Sequence, residues 1–116
     1  MKLRQIIEIL DGQLICGSQL LDTEIKSACG SDLMSDVLLF VKKNSILLTG
    51  LTHPQVIRTA EMLDVKAIVL VRGKRPSPML IQMARENNIA IVTTDYTLYT
   101  ACGKLYVNGL SGEMDE

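Results

Sequence analysis

Residues Ala67–Thr93 read AIVLVRGKRPSPMLIQMARENNIAIVT, two apolar runs separated by a polar loop and an amphipathic segment. The runs Ala67–Val71 and Ile89–Thr93 are short and rich in β-branched residues, which is typical of buried strands. Between them, Ser77 and Pro78 predict a helix start, because serine caps helices and proline is favoured in the first turn. This order of elements predicts a βαβ unit with parallel strands.

The same alternation continues on both sides of this unit. Helices are predicted at Lys2–Leu10, from a cap at Ser31 or Asp32, from Pro54, and from a cap at Thr94–Asp95 to a stop at Gly103. Further strands are predicted at Leu14–Cys16, Ile25–Cys29, Ser45–Thr49 and Leu105–Val107. The pattern predicts a three-layer α/β/α domain with a mostly parallel sheet over residues 1–110 and a polar tail over residues 111–116. It does not predict the strand order.

The composition excludes several classes of protein. The chain has 116 residues, 47% of them hydrophobic and 22% charged, which fits one globular domain. A net charge of −1, no Trp and one Phe argue against a nucleic-acid binder, which needs a basic field and stacking side chains. No apolar run approaches the ~20 residues of a membrane span, and the start lacks a signal-peptide core. We therefore predict a cytoplasmic protein.

The number and spacing of the three cysteines indicate reduced thiols and do not indicate a bound cofactor. Cys16, Cys29 and Cys102 are odd in number and far apart, which favours reduced side chains that act as small apolar filler. There is no CxxC pair, and His53 has no ligand partner nearby in sequence. Fe–S clusters usually take four cysteines, so one chain is a ligand short. A cluster or zinc ion shared between subunits stays open as an alternative.

A candidate ligand site follows from the predicted sheet. Helices point their N-termini at the carboxyl ends of parallel strands, where ligands of such sheets bind. Cations and backbone N–H groups that converge there suit a phosphate or carboxylate, and the alternative is a solvated turn. The candidate ligand-binding residues are Ser31, Thr49, His53, Arg72, Gly73, Lys74, Thr93 and Thr94.

No motif in the chain indicates catalysis. His53 is the one side chain that ordinarily titrates near neutral pH, and its place before Pro54 favours a helix cap or a ligand contact over a general base. The chain contains no Walker A sequence, no GxGxxG and no nucleophile elbow. We therefore predict a protein that is not an enzyme.

The apolar content also predicts a two-fold homodimer. A domain of this size can fully bury only part of its apolar residues. The N-terminal helix and the hairpin after it have no evident place among the repeating strand–helix units. Leu14, Ile15, Leu20 and Leu21 are therefore the predicted interface, and the alternative is that they extend the core of a monomer.

Over residues 1–108 the chain resembles the DRTGG domain family, which is related to the N-terminal domain of HPr kinase/phosphorylase. The resemblance rests on Gly30–Ser35, Leu48–Pro54 and Ala67–Gly73. The family's Asp-Arg pair is replaced by Thr52-His53, and its Thr-Gly-Gly is replaced by Val71-Arg72-Gly73, so that Gly73 alone is kept.

The resemblance implies a fold like that N-terminal domain and a regulatory or ligand-sensing role without catalytic residues. The ligand expected from both lines of reasoning is a nucleotide or another anionic small molecule. Short relatives associated with iron-only hydrogenase genes imply an alternative. In that case the chain is an accessory protein of an iron–sulfur or hydrogenase redox system, acting through contacts with a partner protein or through a shared cluster.

Overall fold

The computed structural model describes residues 1–112. The helices are α1 (Leu3–Ile9), α2 (Met34–Phe40), α3 (Gln55–Met62), α4 (Pro78–Glu86) and α5 (Leu98–Val107). The strands are β1 (Gln13–Cys16), β2 (Ser27–Gly30), β3 (Ser45–Thr49), β4 (Ala67–Leu70), β5 (Ala90–Thr93) and β6 (Ser111–Gly112). Within residues 1–112, no helix has the length and apolar character needed to cross a bilayer.

The strands form one six-stranded sheet in the order β1-β5-β4-β3-β2-β6. All neighbours run parallel except β1, which pairs antiparallel with β5. Every residue of β3, β4 and β5 is buried, because helices cover both faces of the sheet. The predicted α/β fold with a mostly parallel sheet is confirmed.

Two hydrophobic cores lie on opposite faces of the sheet. Alternate residues of a strand point to opposite faces, so Leu48 packs with α1 and α5 while its neighbour Leu47 packs with α2, α3 and α4. In the same way Val69 belongs to the first core and Ile68 to the second. The sheet between two helical layers gives the three-layer arrangement expected from the sequence.

The C-terminal region differs from the sequence prediction. The predicted strand Leu105–Val107 is wrong, because α5 continues through Gly103 to Val107, and Gly109, with a φ of 102°, lies in the turn after it. The helix also begins later than predicted, with the hydroxyl of Thr97 as its cap. The first two residues of the predicted tail form β6 beside β2, and residues 113–116 lie outside the described part of the chain.

The N-terminal region also has a place in the sheet, which corrects the argument for the dimer interface. Strand β1 forms one edge, with Gln13 opposite Thr93. Leu20 is buried in the first core, and Leu14 and Ile15 pack partly against the two cores. Leu20 therefore extends the core of a single chain, whereas Leu14, Ile15 and Leu21 remain half-buried.

Candidate functional site

We call the carboxyl edge of the sheet the four loops that follow β2, β3, β4 and β5, at residues 31–33, 50–54, 71–77 and 94–97. Parallel strands bring these loops to one side of the molecule, where α3 and α4 begin. Because β1 runs antiparallel to β5, the turn at Asp11 and Gly12 comes to the same edge. The carboxyl edge is therefore where ligand chemistry is expected.

The side chain of Asp32 connects two of these loops. Its Oδ1 accepts hydrogen bonds from the hydroxyl of Thr49 at 2.9 Å and from the backbone N–H of Gly50 at 2.6 Å. The Thr49 oxygen in turn accepts from the N–H of Leu51 at 3.1 Å. Asp32 Oδ2 faces the guanidinium of Arg72 at 3.9 Å, so one carboxylate contacts the loops after β3 and β4.

The loop after β4 has an unusual backbone at Arg72. Arg72 and Gly73 both have left-handed φ values, 60° and 68°, and the N–H of Lys74 donates to the carbonyl of Val71 at 3.2 Å. Two successive residues of this kind form a tight primed turn, which normally favours glycine or asparagine. A left-handed conformation costs a residue with a Cβ about 1–2 kcal/mol. The fold therefore holds Arg72 in a conformation that arginine does not prefer.

Neighbouring loops fix this turn. The N–H of Arg72 donates to the carbonyl of Tyr96 at 2.8 Å, and the N–H of Gly73 donates to the carbonyl of Thr94 at 3.0 Å. The guanidinium lies directly over Gly50, where any Cβ would collide with it. About half of the Arg72 side chain remains exposed to solvent. The result is a guanidinium with a defined place and an open side.

Some of the predicted site residues are buried within the fold, and the others are exposed to solvent. The hydroxyl of Thr94 is buried and donates to the carbonyl of Leu10 at 2.7 Å. The Thr49 hydroxyl is likewise committed to Asp32, and Thr93 is buried at the end of β5. The hydroxyls of Thr49 and Thr94 therefore hold the loops in place and are not exposed to a ligand.

Three further predicted residues lie at the entries to the helices and in the loop after β4. The Nδ1 of the exposed His53 accepts from the N–H of Gln55 at 3.1 Å, just before α3, whose cap position is Pro54. The Ser31 hydroxyl accepts from the N–H of Leu33 at 3.0 Å in the turn before α2. Lys74 is exposed beside Arg72.

Sequence reasoning missed Asp32 and Gly50 as site residues. It considered Asp32 as a helix cap, whereas the cap position of α2 is Leu33. The available signal was the position of Asp32 two residues after the end of β2, at the edge that also carries Arg72. No pattern in the sequence shows that a guanidinium lies against Gly50, because the two residues are adjacent only in the folded chain.

The charges at this edge are mixed, because the carboxylates of Asp11, Asp32 and Asp95 lie near its cations. Arg72, Lys74 and Arg75 follow one strand, and all three are exposed. The carboxylate of Asp32 lies opposite the positive charge of Arg72. Asp95 lies against the same turn, because its Oδ1 is 3.3 Å from the position that a Cβ on Gly73 would occupy. An anionic ligand therefore has to compete with carboxylates for Arg72.

The three cysteines occupy three separate places. Cys16 on β1 and Cys29 on β2 are four strand spacings apart, about 19 Å. Cys102 lies on α5, against the other face of β2 at Gly30. Burial raises the pKa of the Cys16 thiol above its usual value. Among the described residues, no three His, Cys, Asp or Glu side chains are grouped as a metal site.

Comparisons with known proteins agree with this architecture. The family model of the DRTGG domain matches residues 5–106. No curated protein matches the chain. The structure is similar to the CBS and DRTGG domains of the regulatory region of Clostridium perfringens pyrophosphatase, solved in complex with its activator diadenosine tetraphosphate.

That similarity has a TM-score of 0.74 at 21% sequence identity, and it covers 97% of this chain. It covers 48% of the solved regulatory-region chain, so the present chain spans about half the length of that region and shares its fold. The solved region is a regulatory part of that pyrophosphatase. The family match over most of the chain confirms the resemblance seen in the sequence: the chain belongs to the DRTGG domain family.

Proposed function

We propose that this DRTGG domain is a regulatory module that binds an anionic small molecule at the carboxyl edge, with Arg72 as the central contact. The observation that carries the proposal is the half-exposed guanidinium of Arg72, which lies against Gly50 at 3.9 Å from Asp32. A guanidinium offers a planar set of donors that matches phosphate and carboxylate oxygens. A cation in a fixed place loses less entropy when it binds an anion.

The backbone at Arg72 supports the same proposal. In the family's Thr-Gly-Gly sequence, the position of Arg72 holds glycine, and its φ of 60° explains why glycine suits it. In this chain an arginine occupies the position despite the conformational cost, and its side chain supplies a guanidinium that glycine lacks. Such strained residues cluster at functional sites, where the surrounding structure holds them in place.

A nucleotide is the proposed ligand class. Lys74 and Arg75 follow Arg72 in the same exposed loop, so a ligand with several phosphate groups can contact more than one cation. The pyrophosphatase region that shares this fold was solved with diadenosine tetraphosphate, which is a regulatory nucleotide of that protein. The proposed compartment is the cytoplasm, since all three cysteines are thiols.

Thermal unfolding tests the proposal directly. The wild-type chain is melted with ATP, AMP, diadenosine tetraphosphate and inorganic phosphate, each over a concentration series. A ligand present at 100 times its Kd stabilises the folded chain by about 2.7 kcal/mol. We expect a rise in Tm with at least one nucleotide and none with that nucleotide in Arg72→Ala.

Arg85→Ala is the matched control, because Arg85 is an exposed arginine in the last turn of α4, at the opposite edge of the sheet. It removes the same charge and should keep the nucleotide response. If no anion raises the Tm of the wild type, or if both variants lose the response equally, the proposal fails.

The alternative role, in an iron–sulfur or hydrogenase system, stays a prediction with its own test. Anaerobic purification followed by iron analysis and an absorption spectrum would support a shared cluster through stoichiometric iron and a brown colour. A colourless, iron-free preparation would rule the cluster out and leave contact with a redox partner protein, tested by co-purification.

A further inference from the structure

A small polar cavity lies at the carboxyl edge, beside the end of β5. It has a volume of about 130 Å³ and is bordered by the turn before β1, the loop after β5 and Arg75. Asp95 joins it to the proposed anion site, because this residue lines the cavity and also lies against the turn at Gly73. The cavity and the basic loop after β4 therefore form one continuous surface.

Thr93 supplies the buried polar group of this cavity. Its side chain is 9% exposed, and its hydroxyl has no hydrogen-bond partner within residues 1–112. No fully buried side-chain oxygen in this part of the chain lacks a partner, so the Thr93 hydroxyl is open to the cavity that Thr93 lines. Polar groups this deep are normally hydrogen-bonded, which indicates a partner from outside the chain.

The charges around the cavity indicate what kind of partner this is. The lining residues include two exposed carboxylates, Asp11 and Asp95, and one guanidinium, that of Arg75. Neither carboxylate forms a salt bridge with a residue of the described chain. The net charge is negative, so the cavity attracts a cation and repels a bare anion.

We propose that this cavity holds a divalent cation, Mg²⁺, between the carboxylates of Asp11 and Asp95 and the phosphates of the bound nucleotide. Mg²⁺ usually keeps several waters and is bound through one or two carboxylates together with ligand phosphates. A water molecule takes up about 30 Å³, so the cavity has room for the ion with several waters. The Thr93 hydroxyl then hydrogen-bonds to one of these waters.

This inference rests on the proposed function and identifies the ligand as a metal–nucleotide complex. It gives each charge at the edge a partner. Phosphate oxygens contact the cations of the loop after β4, and Mg²⁺ neutralises the two carboxylates, which would otherwise repel those phosphates. Two carboxylates alone bind Mg²⁺ weakly, so the cation and the anion should strengthen each other's binding.

Mn²⁺ alone tests the cation site without any anion, because Mn²⁺ prefers the same oxygen ligands as Mg²⁺. Bound Mn²⁺ is paramagnetic and broadens nearby amide signals in the ¹H–¹⁵N NMR spectrum of the full chain. We expect selective broadening at Thr94 and Asp95 in the wild type and its loss in Asp11→Asn/Asp95→Asn. The matched control Glu61→Gln/Glu86→Gln removes two exposed carboxylates at the other edge of the sheet and should keep the broadening.

Thr93→Val tests the role of the buried hydroxyl. Valine keeps the shape of the side chain, and the lost hydroxyl has no partner within the described chain, so Tm should not fall. The Mn²⁺ concentration needed for half-maximal broadening should rise. A fall in Tm without a change in the Mn²⁺ response would show that the hydroxyl serves the fold and not the cation.

Calorimetry with pyrophosphate tests the link between the cation and the ligand. At equal ionic strength, the wild type should bind pyrophosphate at least about tenfold more tightly in Mg²⁺ than in EDTA. In Asp11→Asn/Asp95→Asn the two affinities should approach each other, whereas the control pair should keep the difference.

The two experiments fail in different ways. Absence of selective Mn²⁺ broadening, or broadening that survives in Asp11→Asn/Asp95→Asn, overturns the cation site whatever the anion does. Equal pyrophosphate affinities in Mg²⁺ and EDTA overturn the link to the ligand and leave the anion site standing. Failure of pyrophosphate and every nucleotide to bind under either condition overturns both the proposed function and this link.

Discussion

The two edges of the sheet are built in different ways. At the amino edge, α3, α4 and α5 end in the same turn, in which a left-handed residue is followed by an N–H that bonds five residues back. The left-handed residues are Asp64, Asn88 and Gly109. The bonds run from Val65 to Ala60, from Ile89 to Ala84 and from Leu110 to Leu105, at 2.8, 2.8 and 3.0 Å.

At the carboxyl edge the hydroxyls of Ser31, Thr49 and Thr94 each accept a hydrogen bond from the N–H two residues further along the chain. Side chains also connect these loops to other elements: Asp32 accepts a hydrogen bond from the loop after β3, and the Thr94 hydroxyl donates one to the end of α1. The comparison teaches that the repeated turns only connect helices to strands. The loops at the carboxyl edge position charged groups, and they are where function is expected.

The largest effect is expected at the amino edge, in Gly17→Ala. Gly17 has a φ of 95°, and a Cβ there would lie 2.5 Å from the Cα of Ala90. Left-handed strain and overpacking together should lower the free energy of unfolding by about 2–5 kcal/mol. Urea denaturation measures the loss, and the folded fraction should still bind the ligand. A loss below about 1 kcal/mol would contradict the close approach of these strands.

Thr94→Val should have the next largest effect, now at the carboxyl edge. The substitution removes the hydroxyl whose hydrogen bond the buried Leu10 carbonyl accepts. An unsatisfied buried polar group costs about 1–3 kcal/mol, measurable by urea denaturation. Thr94→Ser keeps the hydroxyl and should recover most of the loss. Equal losses in both variants would show that the methyl group, not the hydrogen bond, matters.

Asp32→Asn should change binding more than stability. Asparagine keeps an oxygen for Thr49 and Gly50 but removes the negative charge 3.9 Å from Arg72. For an exposed pair this charge is worth up to about 1 kcal/mol, so calorimetry should find pyrophosphate bound several-fold more tightly. Asp36→Asn, in the first turn of α2, is the control and should not change the affinity.

If the wild type binds a nucleotide but Asp32→Asn does not bind pyrophosphate more tightly, Asp32 does not compete for Arg72. That result would leave the proposed binding site unchanged. It would reject only the hypothesis that the Asp32 carboxylate competes with the ligand for Arg72.

The smallest effect is the acid sensitivity of an amino-edge turn. A hydrogen bond from Lys66 to Asp64, at 2.9 Å, holds the pKa of this exposed carboxyl below its usual value. The pKa is lowered by folding, so the stabilisation is present above the unfolded pKa, near 4, and is lost as the pH falls through the folded pKa. Asp64→Asn should lower Tm slightly at pH 7 and not at pH 2. Identical pH profiles for both chains would refute this contribution.

Much of the fold could be predicted from the sequence because its signals are local. A short β-branched run such as Ala67–Leu70 buries both faces wherever it lies in the sheet, and Ser77-Pro78 starts a helix by its own side-chain and backbone chemistry. The position of the polar edge follows from parallel strands alone. These features predicted the layers of the domain and the loop that carries Arg72.

The remaining features depend on contacts between distant parts of the chain. Gly103 is a helix-stopping signal by itself, but packing of Ala101 and Leu105 in the core carries α5 through it. Strand β1 reaches the edge of the sheet because β5 offers it a partner 80 residues away, Thr93 opposite Gln13. The pairing of Asp32 with Arg72, and the stacking of that arginine on Gly50, likewise arise only when three loops meet in the folded protein.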